Sequence, residues 1–185
     1  MAITDHNEFK AYEDLKDNGK VIVIPAEEVS SKEGHIVALG IDRQIPAGLS
    51  IQETIDAIHE AGGYAFAAHP YRWWSGLGAK NTLKYPFDGV EAMNARSIKS
   101  ANRRSMKLAK KIGKPITAGS DAHSPHRIGW GHVTLPDGLK TWQEVVQAIM
   151  DDQATAHSAS RHFNETIRYG IKSIGEWILR GFHRM

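Results

Sequence analysis

The 185-residue chain contains no cysteine. Disulfides and thiolate metal sites are thereby excluded, so any metal must be held by histidine, aspartate and glutamate. No apolar run approaches the roughly 18–20 residues that span a bilayer. The start, Met1–His6, has neither the basic head nor the apolar centre of a signal peptide, and the protein reads as cytoplasmic. No long Pro/Ser-rich linker, internal repeat or low-complexity tract divides the chain, so one domain is expected. A strong charge excess is also lacking. The formal net charge is +2 with ten histidines counted as neutral, which argues against a dedicated nucleic-acid scaffold but leaves room for a local basic patch. What is present suffices for one compact core: 41% of residues are hydrophobic and 24% charged, a balance that disfavours disorder.

Strand-like and helix-like segments alternate. Met1–Thr4 is a short apolar run, and Asn7 is placed to cap a helix to about Asp17. Val21–Ile24 is β-branched throughout and reads as a buried strand running on to Glu28. After the polar turn 31–34, the run Ile36–Ile41 pairs most simply with it as an antiparallel hairpin. Ser50 and Glu53 form a capping box for a helix to about Ala61, and Tyr64–Ala68 is the next strand. Residues 70–87 read as a long loop rich in aromatics and glycine. Gly89–Met93, Pro115–Ala118, Val133–Leu135 and Ala154–Ser158 read as strands. Ile98–Ile112, Thr141–Met150 and Phe163–His183 read as helices. This alternation predicts an α/β fold with a largely parallel sheet, closed as a barrel over residues 2–160 and followed by an amphipathic helix over 161–185.

A barrel is favoured over an open sheet because the metal-type residues fall at strand ends, where α/β barrels build their active sites. Asp5-His6 follows the first run, Glu27-Glu28 ends the second, His69 ends Tyr64–Ala68, and Asp121 and His123 follow Ile116–Ser120. His35 begins a strand, but an antiparallel hairpin would set it beside Glu28 at the same mouth. Imidazole and carboxylate together suit Zn, Mn, Fe and similar ions. Two such ions about 3.5–4 Å apart activate a water and stabilise phosphoryl displacement. Taken singly, each residue has an ordinary reading. Asp5 can cap a helix, Glu28 can be a solvated turn charge with Glu27 equally eligible, and His69 can simply end a strand. His59, His157, His162 and His183 read as surface residues, while His126 and His132 stay open. The joint pattern carries the functional reading.

These segments resemble one family. Thr4-Asp5-His6-Asn7 is similar to its TDH motif, and Pro25-Ala26-Glu27-Glu28 to its P-G-x-E segment, with Ala26 in place of the usual glycine. Gly34-His35-Ile36-Val37-Ala38-Leu39-Gly40, Ala68-His69-Pro70 and Gly119-Ser120-Asp121-Ala122-His123 complete the ordered set, and Phe87–Asn94 resembles a later strand. Over about residues 1–135 the chain resembles the PHP (polymerase and histidinol phosphatase) family of metal-dependent phosphoesterases. That resemblance implies a distorted seven-stranded barrel with two or three divalent ions, Mn, Zn or Fe. The implied ligands are His6, Glu28, His35, His69, Asp121 and His123, with Glu28 bridging. Asp5, His6, His69 and Asp121 are the implied catalytic set, Asp5 acting by orienting a ligand. A metal-activated water would attack phosphorus, and Arg72, His126 and Arg127 are candidates to hold the phosphate.

Family members carry an H-x-H strand upstream of TDH, which this chain does not contain. The first strand is therefore expected to be missing through a wrong start or truncation, and the chain as given to be weak or inactive. Three readings compete: a phosphatase or phosphodiesterase acting on a phosphorylated small molecule or nucleotide, a nuclease of the same fold, and a degenerate binding module. A nuclease should show a basic track, to which Lys80, Lys84, Arg96, Lys99, Arg103 and Arg104 can contribute. Trp73, Trp74 and Trp130 can stack bases or, the preferred reading, cover core edges. The C-terminal stripe Phe163, Ile167, Ile171, Ile174, Ile178 and Phe182 is expected to pack on the barrel. Self-association into a homo-oligomer and rest on a membrane surface are its alternatives.

Overall fold

The structure, a computed structural model, describes residues 1–72 and 75–159. The expected C-terminal helix, with His162 and His183, lies outside the described residues, as do Trp73 and Trp74. In chain order the elements are α1 (Lys10–Leu15), β1 (Ala26–Ser30), β2 (His35–Leu39), α2 (Ile51–Glu60), β3 (Tyr64–Ala67), α3 (Gly78–Lys84), β4 (Gly89–Asn94), α4 (Lys99–Ile112), β5 (Ile116–Gly119), a 3-10 turn (Pro125–Arg127), β6 (Gly131–Thr134), α5 (Trp142–Met150) and β7 (Thr155–Ser158).

The fold is mixed α/β. Five strands lie in the order β1-β2-β3-β4-β5, and β6 and β7 form a separate antiparallel pair packed beside β5. The expected hairpin is present, with Glu28 opposite Val37 and Ser30 opposite His35. The sheet is less parallel than anticipated. β1-β2 and β2-β3 are antiparallel, and only β3-β4 and β4-β5, whose connections contain α3 and α4, are parallel. The tight turn between β1 and β2 can join only antiparallel neighbours, and the parallel pairs use crossovers, but β2 and β3 are antiparallel although α2 lies between them.

Alternation along the strands divides the side chains between two faces. Val29, Ile36, Ala38, Ala65 and Ala67 pack with Ile51, Ile55 and Ile58 of α2, all fully buried. Burial of each such isoleucine contributes about 1.5–3 kcal/mol. Both capping boxes form, Ser50 with Glu53 and Thr141 with Glu144, and start α2 and α5 where expected. On the other face Ala26, Val37, Leu39, Tyr64 and Phe66 meet Val133 of β6 and Ile149 of α5. Gly131 approaches β5 so closely that a Cβ there would lie 2.1 Å from the Gly119 carbonyl oxygen.

Three local expectations are corrected. Val21–Ile24 is not a strand. Asn18 Oδ1 accepts from the Lys20 and Val21 amides and holds a turn, leaving one parallel bridge between Ala2 and Ile24. The run Met1–Thr4 likewise enters only through that bridge, and a second bridge joins His6 to Glu28. Asn7 does not cap α1. Its side chain grips Ser30 instead, accepting from the backbone amide at 2.7 Å and donating to Oγ at 3.1 Å, so α1 begins only at Lys10. The supposed loop 70–87 contains α3, where the Asn81 and Thr82 side chains donate back to the carbonyls of Leu77 and Gly78.

Candidate metal centre

The parallel bridge at Glu28 fixes the first part of the site. The Glu28 amide donates to the Asp5 carbonyl at 3.1 Å, and the Asn7 amide donates to the Glu28 carbonyl at 3.0 Å. His6 is thereby held beside the end of β1, and Asp5 contributes its backbone while its side chain is exposed. Across the hairpin, His35 Nδ1 stands 2.8 Å from Glu28 Oε1. The rings of His6 and His35 meet edge to face at 4.7 Å, and those of His35 and His69 at 5.6 Å. One ligand atom from each of His6, Glu28 and His35 falls within 4.8 Å of the others.

Glu28 Oε1 and His35 Nδ1 are both buried, and neither makes a hydrogen bond of acceptable geometry. Unpartnered buried polar atoms cost about 1–3 kcal/mol each. Two of them face to face, with an imidazole alongside, match the donor set of a first-row divalent ion. Burial pushes the Glu28 carboxyl up, but His35 and His69 outweigh it and hold it below its ordinary value. Partial desolvation lowers His6, with Glu28 opposing, and so favours the neutral imidazole that can bind a metal. Strand alternation separates the two glutamates, and only Glu28 faces His35. Glu27 points to the opposite face, fully buried, and accepts from the Ile45 amide at 3.1 Å.

His69, 3% exposed, lies past the end of β3. Its Nε2 is 3.8 Å from Glu28 Oε1 and 3.3 Å from Ser75 Oγ. Its backbone amide and Nδ1 both meet Glu91 Oε2, at 2.7 and 3.0 Å. Sequence reading placed Glu91 in a motif-bearing strand without a role. The available signal was its position on β4, facing the same side as Glu28.

Asp121 follows β5 and is enclosed by polar groups. Arg72 donates to its Oδ2, Asn94 donates to the same oxygen at 3.1 Å, and Arg96 donates to Oδ1 at 2.9 Å. Burial raises this carboxyl, but the two guanidinium groups overcome it and hold it well below the usual carboxylate range. His123 is exposed, with Nδ1 3.5 Å from Asp121 Oδ1 and Nε2 2.9 Å from Arg96 Nη1. The sequence offers no local signal for Asn94 and marks Arg96 only as part of a basic track. Together they tie β4 to the Asp121 loop.

Of the three proposed phosphate holders, the structure brings Arg72 into the Asp121 cluster. His126 is exposed on the 3-10 turn, and the Arg127 guanidinium lies 5.0 Å over the Trp130 ring. Other histidines have partners of their own: His59 meets Asp88 at 2.7 Å, and His132 stacks on His157. Three of the four non-glycine residues with positive φ among the described residues lie at the site, namely Asn7 (54°), His69 (28°) and Asp121 (48°). Strain concentrated this way is typical of functional sites, at about 1–3 kcal/mol per residue.

A family model described as PHP-associated matches residues 99–153. An uncharacterized protein of Methanocaldococcus jannaschii is 39% identical over 98 residues, which are 51% of this chain and 57% of that protein. The chain thus spans little more than half the length of this relative. A two-domain protein from Bacteroides vulgatus, described as containing a predicted PHP-like metal-dependent phosphoesterase, superposes with a TM-score of 0.65 at 14% identity, over 85% of this chain and 55% of that one. Endonuclease Q, bound to a 27-mer duplex with an abasic lesion, superposes with a TM-score of 0.50 at 19% identity, over 70% of this chain and 39% of that one. The matched PHP-associated segment, the shared fold and the ordered His, Asp and Glu motifs are together consistent with a member of the PHP domain family.

Proposed function

We propose that this protein hydrolyses phosphate esters with a divalent ion, Mn, Zn or Fe, held by His6, Glu28 and His35. His69, Asp121 and His123 are the neighbouring ligands for a second or third ion, and the two sheets act as one distorted PHP-type barrel. The observation that carries this reading is the buried pair Glu28 Oε1 and His35 Nδ1, 2.8 Å apart beside His6 and with no further hydrogen-bond partner for either atom.

When bound, the ion polarises the phosphoryl oxygen and lowers the pKa of an attacking water. The remaining work falls to the chain. Glu91 holds His69 Nδ1 and turns Nε2 toward Glu28. Asp121, kept ionised by Arg72 and Arg96, supplies a fixed negative charge near His69. Arg72 and Arg96 in turn bring positive charge to the rim of the site, where it favours a phosphate group and opposes the charge developing in displacement. Asp5 holds the Glu28 backbone. The substrate class is a phosphorylated small molecule, a nucleotide or a nucleic-acid end.

The test is metal content together with turnover. Zn or Mn titration should show tight binding that His35→Ala and Glu28→Ala abolish. Asp121→Ala and His69→Ala should lower hydrolysis of an aryl phosphate by orders of magnitude while leaving the circular dichroism spectrum intact. Metal-dependent turnover unchanged in both would overturn the reading.

A further inference from the structure

The chain's near-neutral charge hides a segregation. Lysine and arginine number 23 against 21 acids in the whole sequence, yet α4 carries six cations and no acid. The rest of the chain is therefore net negative by four. Lys99, Arg103, Arg104, Lys107, Lys110 and Lys111 are all exposed, and at 100° per residue they fall within an arc of about 140° on one side of the helix. Ala101, Asn102, Ser105, Leu108 and Ala109 occupy the other side and are buried. None of the six forms an ion pair with a described acidic residue. A merely solvated helix face normally mixes signs, because opposite charges three or four residues apart stabilise it.

The basic face is continuous with the phosphoester site. Asn102 of α4 donates to the Asn94 carbonyl at 3.0 Å and accepts from the Asn94 amide at 3.1 Å. Asn94 donates to Asp121, and Arg96, in the connection to α4, donates to Asp121 as well. From the side of the helix, Arg104 lies 4.8 Å over the Tyr71 ring, and the next residue, Arg72, reaches Asp121. Cationic side chains thus link the helix to the Asp121 cluster at the mouth.

We infer that α4 is a binding surface for the phosphodiester backbone of a nucleic-acid strand, which it leads toward the metal centre. This inference rests on the phosphoesterase reading and narrows its substrate class. Fourteen residues span about 21 Å, the rise of about six nucleotides of one strand, so six cations have about six phosphates to meet. A bilayer surface fits poorly, because a membrane-bound helix must insert its apolar face, and that of α4 is already buried in the protein.

The test is the salt dependence of binding to fluorescein-labelled 20-mers, single-stranded and duplex, by fluorescence polarisation. The wild type should bind at 50 mM KCl and weaken steeply with salt. The variant R103Q/K107Q/K111Q should bind at least tenfold more weakly, with a log–log salt slope smaller by about 2–3, near one per lost phosphate contact. Its hydrolysis of an aryl phosphate should be unchanged, and His69→Ala should bind DNA as the wild type does. Undiminished binding by the triple variant, no binding by the wild type, or binding only to anionic phosphatidylserine vesicles would each overturn the inference. Loss of aryl-phosphate turnover in the wild type with binding intact would instead overturn the catalytic reading alone.

Discussion

Glu91 Oε2 accepts two hydrogen bonds from His69, one from its backbone amide at 2.7 Å and one from its ring Nδ1 at 3.0 Å. Because a carboxylate only accepts, the ring proton resides on Nδ1, and the Nε2 lone pair is left facing Glu28. One carboxylate therefore sets the tautomer of His69 and grips both its backbone and its ring, at a residue whose φ is 28°. Partners of this kind raise ligand basicity and fix ligand direction.

Glu91→Gln keeps the shape but offers an amide that can donate to the ring and permit the other tautomer. Metal affinity, read by competition with a chelator, should fall about 10–100-fold with little change in melting temperature. An unchanged affinity would mean that His69 is not a ligand.

Glu27 and Glu28 are adjacent but lie on opposite faces of β1. Glu28→Gln should abolish metal binding in calorimetric titration, and Glu27→Gln should preserve its stoichiometry. The reverse result would place the site on the α2 side of the sheet.

The same Glu27 predicts a pH signature. Burial raises its carboxyl to about 6, above the ordinary 4.5 of the unfolded chain, despite the Ile45 amide. The native state thus holds its proton more tightly than the unfolded one. Its contribution is complete below pH 4.5 and is lost as pH rises through 6. Between pH 4 and 8 the stability of Glu27→Gln relative to wild type should shift in the variant's favour by on the order of 2 kcal/mol. Urea melts at the two pH values measure it, and parallel profiles would contradict it.

Gly131 allows no side chain, since the atoms nearest its virtual Cβ are backbone of Gly119 and Ser120, at 2.1 and 3.1 Å. Gly131→Ala should cost about 1–3 kcal/mol or more and weaken metal binding, because the displaced segment leads directly into Asp121. A normal melting temperature would show that β6 can shift freely.

The clustering of the candidate residues was more legible in the sequence than the strand order of the sheet. Glu28, His35, His69 and Asp121 were legible because each sits at a strand end in a distinctive local pattern, and the hairpin between Glu28 and His35 followed from its short turn. Glu91 and Asn94 were not, since a carboxylate or amide in mid-strand carries no local signature until the neighbouring strand is placed. Val21–Ile24 misled because β-propensity ignores the competing hydrogen bonds of Asn18. The helix α3 was hidden by glycine- and aromatic-rich flanks and is held by tertiary contacts and back-bonding side chains. The basic residues near α4 were individually visible, but their restriction to one solvent face became evident only when the opposite face was seen to be buried.

The β1-β2 hairpin has a consequence for how the site comes into being. Glu28 and His35 are joined by a turn closed by Ser31 and Gly34, so bringing them together costs little loop entropy. Asp121 follows β5, at the opposite edge of the five-stranded sheet from β1. Local contacts favour fast folding, so this hairpin can set two of the proposed ligands side by side before the rest of the sheet is in place. A metal ion present at that stage would bind the hairpin before the sheet is complete and draw the later strands toward it.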